Sequence, residues 1–145
     1  MTRPRLMLAD DHTSLVEALR RVLEPDYDVV ATVADGRSLL ETAPQVNPEV
    51  IVVDIAMPLI NGLEAGLRLR QQMPDVKLIF LTMNDDPDLA AEAMRCGASG
   101  YVLKNSAGEE LVQAIQMALK CKRYVSPLIA QGMQNSFTEN PGGTG

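Results

Sequence analysis

Tryptophan is absent from this chain and aromatic residues make up only 3% of it. The core of any folded unit must therefore be aliphatic, built from Val, Ile, Leu, Met and Ala. Two cysteines, Cys96 and Cys121, show neither metal-ligand spacing nor a C-x-x-C arrangement, and a small fold held by disulfides would carry more of them. Both read as free thiols in a reducing compartment. Basic residues are outnumbered, 13 Lys and Arg against 19 Asp and Glu, giving a net charge of -6. Binding to a phosphate backbone needs clustered Lys and Arg, so this chain is not expected to read nucleic acid itself. The first apolar run follows Arg3 and Arg5 but is cut by Asp10 and Asp11, too soon for a signal peptide or a membrane helix. The cytoplasm is the expected location, with no membrane partner. Neither a G-x-G-x-x-G nor a Walker loop is found, which argues against a nucleotide-binding module.

What is present is organised around Val50-Ile51-Val52-Val53-Asp54. A β-branched apolar run without polar alternation reads as a strand buried on both faces, as in the middle of a parallel sheet. It ends in a carboxylate, with bends imposed beyond it by Pro58 and Gly62. An acid there either caps a loop or does chemistry, and ligands of open α/β sheets gather at the carboxyl ends of the strands.

The rest of the chain repeats one unit. Arg5 to Ala9 forms a first strand ending in Asp10-Asp11, then His12, Thr13 and Ser14 open a helix carrying Leu15, Val16, Leu19, Val22 and Leu23. Pro25 stops it, and Tyr27 to Val33 is the next strand. Ala34-Asp35-Gly36 turns into a second helix, and Pro44 and Pro48 bracket the loop before the Asp54 strand. A third helix, Leu63 to Met73, holds Gly66 in its interior, which weakens it by about 1 kcal/mol relative to Ala and suggests close packing. Val76 to Thr82 is the fourth strand. Asp86 then caps, and Pro87 opens, a fourth helix whose apolar stripe is thin, so it should be the least firmly anchored. Gly100 to Leu103 is a fifth strand ending at Lys104, followed by a helix through Leu119. Strict alternation implies a parallel sheet with helices on both faces and right-handed crossovers. The 145 residues suit one domain with a short appendage. The division expected is a domain over 1–121 and a C-terminal extension over 122–145, a short helix and then a flexible linker ending Pro141-Gly142-Gly143-Thr144-Gly145. Such a linker suggests a further domain, cut off or never present.

In a parallel sheet all carboxyl ends share one edge, which gathers Asp10, Asp11, Asp54, Thr82 and Lys104. Carboxylates brought together repel, and a hard cation is the usual remedy. Mg²⁺ suits them, since it takes oxygen ligands and binds through a few carboxylates plus phosphate oxygens. A carboxylate beside Mg²⁺, with a Lys ammonium and a Thr hydroxyl opposite, can attack a phosphoryl group and become an aspartyl phosphate.

These residues resemble the receiver domain of two-component response regulators. Ala9-Asp10-Asp11-His12, Asp54-Ile55-Ala56-Met57-Pro58 through Gly62, Leu81-Thr82-Met83 and Gly97 through Lys104 are most similar to the NarL/FixJ branch, whose output is a LuxR-type helix-turn-helix. The likeness covers roughly residues 5 to 120. It implies a flavodoxin-like, doubly wound sheet of five parallel strands, order 2-1-3-4-5, with five flanking helices. It implies that Asp54 is the phosphoacceptor and that Asp10, Asp11, Asp54 and the Ala56 carbonyl hold Mg²⁺. Lys104 would pair with the phosphoryl group, Thr82 would move to bind it, and Tyr101 would swing into the space left, changing the surface around the fourth helix. The implied partner is a sensor histidine kinase, with DNA reached only through an output domain absent from this chain. A homodimer formed on phosphorylation stays open. The implied role is regulatory and not enzymatic, beyond self-catalysed phosphotransfer and dephosphorylation.

The same residues have plainer readings. Asp10 and Asp11 could be a solvated helix start, Tyr101 a packed edge aromatic, and His12 reads as structural. The Asp85-Asp86-Asp88 cluster reads as helix capping, and Met73, Met83 and Met94 as core filler. Phosphatases of the haloacid-dehalogenase type need a second Asp two residues after the nucleophile, where Ala56 stands. A degenerate receiver acting only as an interaction module would not need all five strand-end residues. Two departures from the family pattern stand out. Asn105 replaces the Pro common after the Lys, and Met83 is bulkier than the residue often found after the Thr, which should narrow access to the phosphoryl group. Nothing after Ser126 resembles a helix-turn-helix recognition segment.

Overall fold

The computed structural model of the chain describes residues 3–138; the expected linker beyond Thr138 lies outside the described residues. Its elements are β1 (Arg5–Ala9), α1 (Thr13–Leu23), β2 (Asp28–Val33), α2 (Gly36–Val46), β3 (Val50–Asp54), α3 (Gly62–Gln72), β4 (Lys77–Thr82), α4 (Pro87–Arg95), β5 (Gly100–Leu103), a single 3-10 turn (Lys104–Ser106), α5 (Ala107–Leu119), β6 (Tyr124–Val125) and α6 (Pro127–Thr138). All pairings are parallel and the sheet runs β2-β1-β3-β4-β5-β6.

The expected order of the first five strands is observed, but the expected count is corrected: the described residues hold six strands and six α-helices. Tyr124–Val125 pairs with Gly100 and Tyr101 of β5 as a sixth strand. The described part of the C-terminal extension is thus laid against the sheet edge and α4.

β3 is buried along its whole length, as a central strand covered by helices on both faces must be. Its side chains alternate: Ile51 and Val53 join Leu39, Ala65, Leu69 and Ala93 on one face, while Val50 and Val52 join Leu19, Leu111 and Ile115 on the other. The core is aliphatic apart from Phe80, Tyr101 and Tyr27.

Local expectations meet mixed outcomes. Asp35 caps α2 through Ser38 N–H, and Asp86 caps α4 with Pro87 in its first turn. Gly97 ends the α4 region at φ 103, a backbone state that costs glycine nothing. Pro44, expected in a loop, lies inside α2. It sits in the last turn, where only the Leu40 carbonyl loses a helical donor, and Asn47 at φ 50 closes the helix by donating its N–H to Ala43. The segment His12-Thr13-Ser14 supplies no side-chain cap to α1. Met83, read as core filler, is 66% exposed on the loop after β4. Gly66 is confirmed as a point of close packing, since a Cβ there would stand 2.8 Å from the Phe80 ring. The thin stripe of α4, Ala90, Ala93 and Met94, is buried, partly beneath α6.

Candidate functional site

Register brings the strand ends together. Asp54 pairs with Leu81 and Thr82 with Leu103, while Ile55 N–H donates to Leu81 O and Asp10 N–H to Val33 O. Four polar side chains at this edge are buried: Asp10, Asp54, Thr82 and Lys104. Two glycines fix the loop after Asp54. A Cβ on Gly62 would lie 1.8 Å from the Asp54 carbonyl oxygen, and one on Gly36 would lie 2.0 Å from that of Ile60. The backbone passes so close at both points that no larger residue fits. Between them Leu59 holds φ 70 with its side chain 70% exposed, a conformation that disfavours residues with a Cβ.

Lys104 is the hub. Its Nζ donates to Asp54 Oδ2 at 3.0 Å and to Asp10 Oδ1 at 3.3 Å, and lies 2.9 Å from His12 Nδ1. Burial alone would lower its pKa, but hydrogen bonds and charge from Asp54 and Asp10 outweigh it and hold the ammonium above its ordinary value. Asp54 is pushed the other way from a typical ion-paired acid. Burial raises its pKa, the Asp10 charge adds to this, and the Lys104 and Ala56 hydrogen bonds only partly oppose it. Its Oδ1 accepts from Ala56 N–H at 3.1 Å, so both carboxylate oxygens face donors.

The Asp10 side fits a cation. Its buried Oδ2 is 3.1 Å from Lys104 Nζ and has no other donor near it. One ligand atom each from Asp10, Asp11, His12 and Asp54 falls within a single 4.8 Å cluster. His12 Nδ1 lies beside the same groups, 2.9 Å from the ammonium, 3.0 Å from Asp10 Oδ1 and 3.3 Å from Asp11 Oδ1. Three carboxylates converging in this way suit a hard divalent ion bound through their oxygens.

The structure therefore brings together Asp10, Asp11, Asp54 and Lys104 as the sequence pattern implied, with the Ala56 amide beside them. Thr82 is at the same edge but turned to its own loop. Its Oγ1 donates to Asn84 O at 3.1 Å and accepts from Asn84 N–H at 3.0 Å. Tyr101 is fully buried, so the inward position expected to follow movement of Thr82 is already taken here; burial raises its pKa, the neighbouring Thr82 hydroxyl opposes this and the Asp86 charge adds to it. His12, read as structural, touches the Lys104 and Asp10 side chains, and one participant escaped the sequence reading. Asn84 holds Thr82 through backbone groups that no side-chain motif reveals.

A doubly wound α/β domain whose sheet edge gathers three carboxylates, a buried lysine and a hydroxyl has the architecture of a receiver domain. Comparison with known proteins makes that particular: the chain belongs to the response regulator receiver domain family, whose family model matches residues 6–116. It is 35% identical over 135 residues to the transcriptional regulatory protein DegU of Brevibacillus brevis, covering 92% of this chain and 57% of DegU. It is 33% identical over 141 residues to the oxygen regulatory protein NreC of Staphylococcus carnosus, covering 95% of this chain and 65% of NreC. The chain thus spans less than two thirds of the length of these relatives. A solved LuxR-family two-component response regulator from Aurantimonas sp. SI85-9A1 superposes with a TM-score of 0.89 at 37% identity, over 95% of this chain and all of that one. These similarities support the NarL/FixJ branch. Among the described residues no helix is long and apolar enough to cross a membrane.

Proposed function

We propose that this receiver domain is a phosphorylation switch in which Asp54 takes a phosphoryl group from a histidine kinase. The observation that carries the reading is the buried Asp54 carboxylate held by Lys104 Nζ at 3.0 Å, with the buried Asp10 carboxylate against the same ammonium. An Asp54 oxygen attacks phosphorus as the phosphorus–nitrogen bond of phosphohistidine breaks, and the leaving imidazole nitrogen keeps the electron pair. Lys104 shifts from the carboxylate to the phosphoryl oxygens and absorbs negative charge in place. The Ala56 amide orients the attacking carboxylate through Oδ1. Asp10, Asp11, Asp54 and the Ala56 carbonyl would hold Mg²⁺, which when bound neutralises the gathered carboxylates and draws charge from the phosphoryl oxygens. Thr82 leaves Asn84 to hydrogen-bond the phosphoryl group. Hydrolysis of the aspartyl phosphate returns the switch to its starting state.

In this reading the domain works in the cytoplasm beside its kinase. Residues 1–121 carry the switch chemistry, and the extension from residue 122 leads toward an output. The relatives are full-length regulators, and the output proposed for this protein is a LuxR-type DNA-binding domain outside the 145 residues.

The test is intact mass after incubation with acetyl phosphate and Mg²⁺. A single phosphoryl adduct, lost in Asp54→Asn and with a chelator, is expected. An adduct that persists in Asp54→Asn would move the acceptor elsewhere, and no adduct at all would favour an interaction module that works unphosphorylated.

A further inference from the structure

Among the described residues, those beyond 121 make no hydrogen bond to Asp10, Asp54 or Lys104, yet they are built into the face that a receiver switch would have to move. Ser126, 1% exposed, finishes the β5 edge with its side chain. Its Oγ accepts from Leu103 N–H at 2.9 Å and donates to Glu110 Oε1 at 2.7 Å. The Tyr124 hydroxyl donates to the same oxygen at 2.8 Å, and Ser126 N–H donates to the Tyr101 carbonyl at 3.0 Å. Beyond this clasp, α6 places Ile129 and Met133 in the apolar cluster that holds Tyr101, Ala90, Ala93 and Met94. Gly132 faces Pro87, the first residue of α4. Tyr101 is therefore tied by its backbone to the extension and shares a core with it.

A second chain of contacts reaches α4 from the phosphoacceptor side. Thr82 Oγ1 is bonded to the Asn84 backbone, Asn84 Oδ1 accepts from Asp86 N–H at 3.0 Å, and Asp86 Oδ1 accepts from Asp88 N–H at 2.9 Å in the first turn of α4. Moving Thr82 toward Asp54 pulls on this series of turns, and its far end is the Pro87 that meets α6. The two chains join at one helix terminus.

We propose that β6 and α6 form a latch over α4 and Tyr101, closed by the Glu110–Tyr124–Ser126 clasp, and that phosphorylation of Asp54 opens it. The trigger rests on the phosphoacceptor reading; the coupling of α6 to α4 does not. Because coupling is reciprocal, loosening the latch also loosens α4 and β5.

The test is hydrogen exchange read by mass spectrometry on the full chain, comparing native protein, Ser126→Ala and Gly132→Ala. Ser126→Ala removes both bonds of the Ser126 hydroxyl, to Leu103 N–H and to Glu110, and leaves only the Tyr124–Glu110 bond of the clasp. Gly132→Ala puts a methyl group 3.5 Å from the Pro87 ring, an ordinary contact, and favours the helix. Exchange over residues 86–103 should speed about fivefold or more in Ser126→Ala and slow in Gly132→Ala. On native protein carrying the adduct, exchange over 127–138 should speed by a similar factor. If Ser126→Ala unfolds globally, accelerated exchange in β1 and β3 will reveal it, and Gly132→Ala then decides. Exchange over 86–103 that stays unchanged in the folded variants overturns the latch. An adduct that leaves 127–138 unchanged overturns the trigger. Failure to form any adduct overturns the phosphoacceptor reading and the trigger with it, while the two variants still decide the coupling.

Discussion

Asp54 carries its charge against its surroundings. Burial raises its folded pKa above the unfolded value, so its contribution to stability is full at low pH and falls away as pH rises through the folded pKa. At neutral pH the ionised carboxylate is a liability that Lys104 only partly offsets. Asp54→Asn should therefore stabilise the metal-free fold at pH 7 by about 1 kcal/mol. The gain should vanish below about pH 4, where the native carboxyl is also protonated. Urea melts at the two pH values check this. Lys104→Met has the opposite character. It leaves Asp10 and Asp54 facing each other without a cation, and adduct formation with acetyl phosphate, followed by mass against time, should slow about a hundredfold. At this scale the sequence was informative where a residue closes an apolar run: Asp10, Asp54, Thr82 and Lys104 are all where their strands end. Side-chain direction was not legible. Thr82 turns away because the Asn84 backbone offers it both a donor and an acceptor, and Tyr101 is inward because α6 shares its cluster.

The elements show where local pattern suffices and where packing overrides it. Gly66 is tolerated in α3 because Phe80, fully buried, occupies the space a side chain would need. Gly66→Ala gains about 1 kcal/mol of helix propensity, but overpacking a closed site costs about 1–3 kcal/mol. Net destabilisation of about 1 kcal/mol is expected, read as a lower urea midpoint with unchanged slope. Caps and glycine ends were readable because each answers a local hydrogen-bond need. Pro44 misled because the lost bond falls in a final turn, where Asn47 supplies an alternative closure. β6 was invisible for a different reason: two residues carry no period, and only the waiting β5 edge makes Tyr124–Val125 a strand.

Over the whole molecule, the three tyrosines share one property. Burial raises the pKa of Tyr27, Tyr101 and Tyr124, helped by Asp26, Asp86 and Glu110 in turn, and Tyr124 is pushed up to about 12. Folded values above unfolded ones mean that the stability these phenols contribute is intact below about pH 10. It is lost as pH climbs through the folded values. With no tryptophan to obscure it, tyrosinate absorbance should be small at pH 10 in the native chain and near half-maximal in urea. Half-titration at pH 10 without urea would show that the three sites are open to solvent.

β6 also has a bearing on solubility. Tyr124 N–H and Ser126 N–H occupy the Ser99 and Tyr101 carbonyls, and Ser126 Oγ occupies the Leu103 N–H. A fragment ending at residue 121 would present those groups along the open β5 edge to any neighbouring molecule able to pair with them. Self-association of such a fragment would therefore report a missing two-residue edge strand, and its dimers would be a poor guide to how the longer protein assembles.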